Sequence, residues 1–109
     1  MMKKNKRIKS IIKQQEKETK ELFSIHYNNL TKPQKEQIRR KLYLEQEYNC
    51  AICGKKEKNR KLSLDHNHTT GHIRGLLCQS CNFILGAAKD NPYILRIAAE
   101  YLTKKRIFI

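Results

Sequence analysis

Two cysteine pairs, Cys50-Ala51-Ile52-Cys53 and Cys78-Gln79-Ser80-Cys81, use all four cysteines of the sequence. A C-x-x-C spacing lets two thiolates reach one ion from a single tight turn, and two such pairs supply the four sulfurs of a closed structural zinc site. The 24 residues between the pairs exceed the usual zinc-ribbon interval. The excess holds Leu64-Asp65-His66-Asn67-His68, in which Asp65 is the only carboxylate between Lys58 and Lys89. One acid is too few for paired-carboxylate hydrolysis, a two-metal cluster or a calcium loop. It suffices for a single magnesium-like ion held by one carboxylate and one or two neutral ligands, with water and a substrate phosphate completing the shell. Asn82 directly follows the last cysteine. A zinc knuckle there would fix its position, so the structural metal would set the geometry of a second site.

The surrounding elements must deliver these groups. Thr31-Lys32-Pro33-Gln34 reads as a capping box with proline in the first turn, predicting a helix over 31–48. Ile38, Leu42 and Tyr48 are expected to face inward, with Lys35, Arg39, Arg40 and Lys41 toward solvent or phosphate. Gly54 suits the tight turn after the first cysteine pair. After the charged loop Lys55 to Lys61, a strand over Leu62 to Leu64 ending at Asp65 should pair antiparallel with Ile73 to Leu77 across the Asn67 to Gly71 turn. Arg74 reads as a phosphate clamp or a plain surface charge, His72 as an exposed strand residue, and Asn67 as a turn residue. No function attaches to His26. Helical pattern resumes near Asn82 with Phe83, Ile84, Leu85, Ala87 and Ala88. Asn91 and Pro92 then start a last helix over 92–103. Its stripe of Ile94, Leu95, Ile97, Ala98, Tyr101 and Leu102 is expected to pack on the zinc module, or to mediate dimerisation.

From Lys3 to Glu21 there are eight Lys or Arg against three Glu, and Ile8, Ile11 and Ile12 have helical spacing. This segment is a helix laid on nucleic acid, a basic arm that orders on contact, or a solvated frayed helix. The expected division is a basic arm over 1–30 and a zinc-containing domain over 31–109, with its core at 49–89.

At 109 residues the chain has room for one domain, and its apolar content is thin for an unaided core. A metal staple would help it fold. The formal charge of +14 favours a polyanionic partner, and nucleic acid over a membrane, because no apolar stretch is long enough to insert. Met1 to Lys20 lacks the apolar segment of a secretion signal, so a reducing cytoplasm is expected, where four cysteines serve as metal ligands rather than disulfides.

The run Leu64-Asp65-His66-Asn67-His68, then Gly71-His72-Ile73-Arg74-Gly75-Leu76-Leu77-Cys78, then Cys81-Asn82, framed by Cys50 and Cys53, resembles the recombination endonuclease VII family of phage and bacterial nucleases. That family belongs to the wider HNH, or ββα-metal, group, and the match covers about Glu45 to Ala88. The resemblance implies an α+β fold, a small zinc-stapled, treble-clef-like ββα-metal module with flanking helices. It implies DNA as substrate, structural zinc on Cys50, Cys53, Cys78 and Cys81, and a catalytic magnesium or manganese ion on Asp65 and Asn82. His66 would be the general base. His68 falls where the family has a second histidine near metal and phosphate, or it is a turn residue. Arg74, Lys55 and Lys56 would contact DNA. Cleavage would take place in a bacterial cell or a phage-infected host. The best-known resolvase of the family continues into a helical region that builds an intertwined dimer. Without it, a monomer or weak homodimer that nicks DNA is expected at least as much as junction resolution. The alternative from a different class is a zinc-dependent nucleic-acid-binding module without catalysis.

Overall fold

A computed structural model of the chain describes residues 6–57 and 61–105. The start of the expected basic arm, the middle of the Lys55 to Lys61 loop and Arg106 lie outside the described residues. The elements follow as α1 (Lys6–Leu22), a 3-10 turn (Tyr27–Asn29), α2 (Lys32–Glu45), β1 (Ser63–His66), β2 (Ile73–Leu77), α3 (Gln79–Ala87) and α4 (Pro92–Thr103). The fold is α+β, with one two-stranded antiparallel sheet.

The capping box forms at the head of α2: Gln34 N–H donates to Thr31 Oγ1, and Thr31 N–H donates to Gln34 Oε1. Ile38 and Leu42 face inward as their spacing predicts. The helix stops at Glu45, short of the expected Tyr48, because Glu47 and Tyr48 both adopt positive φ. Tyr48 is consequently exposed rather than inward. The Gln46 side chain seals this end. Its amide N–H donates to the carbonyls of Asn49 and Leu76, and its Oε1 accepts from Leu76 N–H, tying α2 to the first cysteine turn and to β2.

Leu30, Ile38, Leu42, Leu62, Leu76 and Leu77 form the core together with Cys50 and Cys81. Leu22, Phe23, Ile25 and Tyr27 pack against it. The junction at residue 30 thus falls inside the packed core, and the segment before it contributes to that core. Further back, α1 docks on α2 through a partly buried hydrogen bond from Gln37 Nε2 to Thr19 Oγ1, while Ile8, Ile11 and Ile12 remain exposed. Tyr43 ties the other side together, its hydroxyl donating to Glu57 and accepting from Leu62 N–H.

β1 lies one residue later than its predicted span, and β2 matches its own. Ser63, Leu64 and Asp65 pair with Leu77, Leu76 and Gly75, whereas His66 pairs with Ile73. Arg74 is therefore the extra residue of a β-bulge, a device that re-aims a side chain. The expected packing of the α4 stripe on the zinc module is not seen: none of the α4 residues is buried, and Tyr93, Ile94, Ile97, Tyr101 and Leu102 are all exposed. Two consecutive positive-φ residues, Lys89 and Asp90, separate α3 from α4.

Candidate active site and zinc centre

The two cysteine turns meet. Their four sulfurs all lie within 4.8 Å of one another, the only group of three or more Cys, His, Asp or Glu side chains among the described residues close enough to share an ion. A tetrahedral zinc with sulfur at about 2.3 Å requires sulfurs about 3.8 Å apart, and Cys53 Sγ and Cys78 Sγ are 3.7 Å apart. The donor set fits zinc in chemistry and in size. Burial alone would push the Cys50 thiol up, but backbone groups of Cys78, Cys53 and Ile52 outweigh it and lower the pKa to about 6. Burial and the neighbouring sulfurs push Cys81 up to about 12. Four sulfurs this close could share one cation, which would favour their thiolate forms. Cys78 also caps α3, its sulfur accepting from Cys81 N–H, so ligand placement and helix initiation coincide.

The hairpin carries the second cluster to the same module. Asp65 is buried, and Arg74 grips it with both arms of its fork, Nε to Oδ2 at 2.6 Å and Nη2 to Oδ1 at 3.1 Å. The same Nη2 reaches Asp90 Oδ2 at 3.4 Å. The hydrogen bond and charge of Asp65, ahead of Asp90, raise the Arg74 pKa, so the guanidinium remains charged. Arg74 is committed to these carboxylates rather than extended as a free phosphate clamp.

His66 is half-buried, with its ring between two others. Tyr27 stacks on it with centroids 3.8 Å apart and planes 5° from parallel, and the His68 ring lies 4.5 Å away at a tilt. Burial and then the charge of His68 lower the His66 pKa, against the pull of Asp65. The imidazole is therefore largely neutral at pH 7 and able to accept a proton. His68 and His72 are exposed, and Asn67 Oδ1 accepts from the N–H groups of Thr69 and Thr70, the turn role expected of it. Asn82 lies in the first turn of α3, exposed, with no side-chain hydrogen bond among the described residues. Lys55 and Lys56 are exposed on the loop after the first cysteine turn.

Sequence reasoning missed Tyr27 as part of this arrangement and did not foresee that Asp90 joins the Arg74 pair. No local pattern marks Tyr27, since it meets His66 across a large separation along the chain. The family model for recombination endonuclease VII matches residues 16–104.

The chain belongs to the recombination endonuclease VII family.

Among relatives of this endonuclease VII family member, the Gene 59 protein of Mycobacterium phage D29 is 49% identical over 57 residues, covering 50% of this chain and 34% of that protein. The Gene 59 protein of Mycobacterium phage L5 is 47% identical over 55 residues, covering 49% and 34%. The matched segment thus spans about a third of each phage protein. Among solved structures, the ββα-Me type II restriction endonuclease Hpy99I superposes with a TM-score of 0.52 at 32% identity, over 77% of this chain and 45% of that one. The ββα-metal fold and the cysteine metal centre agree with the expectation from sequence. No helix among the described residues is long and apolar enough to cross a membrane.

Proposed function

We propose that this chain is a divalent-metal-dependent DNA endonuclease with structural zinc on Cys50, Cys53, Cys78 and Cys81. The observation that carries the reading is a half-buried, predominantly neutral His66 next to buried Asp65, on a hairpin that runs straight into the zinc knuckle. His66 takes the proton of the attacking water, whose oxygen then bonds to phosphorus as the bond to the 3′ oxygen breaks. The products carry 5′-phosphate and 3′-hydroxyl ends. Asp65 and Asn82 would hold the magnesium or manganese ion. Arg74 takes up one lone pair on each Asp65 oxygen and leaves others free, and the exposed Asn82 carboxamide supplies a neutral oxygen. Such an ion, when bound, stabilises charge on the phosphate and on the departing oxygen. His68 modulates His66 and is a second contact for the phosphate. Lys55 and Lys56 are placed for backbone contacts, which position DNA without reading its sequence. The chain acts as a monomer or weak homodimer in the cytoplasm of a bacterial cell, and its mycobacteriophage relatives support a phage-infected one.

The Arg74 grip on both Asp65 oxygens favours a second reading, a zinc-dependent nucleic-acid-binding module without catalysis. Nicking of supercoiled plasmid separates the two. The nuclease reading expects scission that chelation abolishes, and a loss of about 10²-fold or more in His66→Ala with zinc content and fold retained. Salt-sensitive binding with no scission in magnesium or manganese would leave the binding module.

A further inference from the structure

We propose that Tyr27 is a positioning residue of the active site, orienting the His66 imidazole with one face of its ring and seating the Lys35 ammonium on the other. The inference rests on the nuclease reading of His66. It brings the segment before residue 30 into the catalytic apparatus.

The ring torsion of a histidine is broad and two-fold, so an unsupported imidazole samples many planes. A base contributes fully only when its lone pair is held toward the reacting water, and small misplacements cost large factors in rate. Near-parallel stacking at 3.8 Å fixes the plane of His66 without using either ring nitrogen. Both remain available for proton transfer and for its orienting hydrogen bond.

The platform itself is anchored to the hairpin that bears His66. Tyr27 N–H donates to Gly71 O at 3.0 Å, and His26 Nδ1 accepts from Asn28 N–H to cap the 3-10 turn. Gly71 has φ +75°, and a Cβ there would collide with the His26 ring. A glycine at this one position therefore allows the turn carrying Tyr27 to close on the turn carrying His66. Buried Leu30 fixes the other end.

The imidazole covers one face of the Tyr27 ring, which leaves the other for Lys35 Nζ, over the ring at 4.2 Å from its centroid, and no carboxylate among the described residues pairs with it. A cation–π seat holds an ammonium in place while leaving its N–H groups free to donate. Lys35 is thus one ring's thickness from His66, where it can grip a phosphate flanking the one under attack.

The experiment measures nicking by the full zinc-loaded chain in magnesium, together with the His66 ring-proton resonances by NMR. Tyr27→Leu should lower kcat about ten- to a hundredfold and raise KM, while shifting the His66 resonances downfield as ring-current shielding is lost. Tyr27→Phe retains the ring and should restore kcat to within about threefold, with His66 still shielded. Lys35→Gln should raise KM more than it lowers kcat. Tyr27→Met replaces the leucine variant if that chain fails to fold. Cleavage by Tyr27→Leu at the full rate, or a Tyr27→Phe loss as large as that of Tyr27→Leu, would overturn the role of Tyr27 alone. Wild-type chain that cuts no DNA while Tyr27→Leu still moves the His66 resonances would overturn the nuclease reading and this role with it.

Discussion

Arg74 and Asp65 form a forked ion pair across the β-bulge, with the carboxylate buried and the guanidinium about one-third exposed. Asp65 is the acid proposed to bind the cation, and its orientation is set by a permanent positive charge bonded to both of its oxygens. Asp90, held in a positive-φ turn, steadies that charge from the other side.

Removing the fork therefore strands a buried carboxylate. Arg74→Ala should destabilise the fold by about 2 kcal/mol, less than a fully buried pair because the arginine is partly solvated. For a domain of this size that lowers Tm by about 10 °C. Arg74→Lys restores charge but not the two-pronged geometry, and should recover only part of the loss in a thermal melt. Equal melting temperatures for wild type and Arg74→Ala would show the pair to be incidental.

His66 sets the acid side of the rate profile. Its pKa lies below the ordinary 6.5 through burial and the His68 charge, so kcat/KM should stay flat from pH 8 to 7 and fall only below 6.5, by about tenfold per unit. His68→Gln removes a like charge and should move this limb to higher pH. The folded chain also binds fewer protons than the unfolded chain in that range, so the contribution of His66 to stability is intact above about 6.5 and is lost as pH falls from there through the lower folded pKa. Parallel urea melts at pH 7.5 and 5.5 measure it.

Zinc removal should undo the hairpin and α3 together, because Cys50 and Cys81 are core residues and Cys78 is the α3 cap. One zinc per chain is expected by atomic absorption. Cys78→Ser should lose the metal and nicking at once, even in excess magnesium. A Cys78→Ser chain that stays folded and active without zinc would contradict this arrangement.

Gln46 provides a test away from the chemistry. Gln46→Leu leaves Leu76 N–H without its partner, frees the Asn49 carbonyl and removes one of the two donors to the Leu76 carbonyl, which should cost about 2 kcal/mol. Per folded molecule, nicking should be unchanged. Chemical denaturation and a rate normalised to folded fraction report the two effects separately.

What the sequence disclosed was local. The Thr31–Gln34 box, the Asn91-Pro92 start, the cysteine turns and the Ile73 to Leu77 strand each declare themselves within a few residues, and each is present in the structure. The end of α2 was misjudged because Glu47 and Tyr48 adopt a backbone their residue types do not advertise. Arg74 looked like a free cation because its main partner, Asp65, meets it only through the bulged register of the hairpin, and Asp90 reaches it from beyond α3. Tyr27 gave no sign of meeting His66, since that contact depends on a glycine in a distant turn. The α4 stripe has helical periodicity, but periodicity identifies an apolar face and not what covers it.

That uncovered stripe has a practical consequence in a chain of formal charge +14. Mutual repulsion keeps copies apart in dilute buffer despite the apolar surface they display. Electrolyte weakens this repulsion and also loosens the hold on DNA. Conditions chosen to strip the protein from nucleic acid during purification are thus those in which it is most prone to clump.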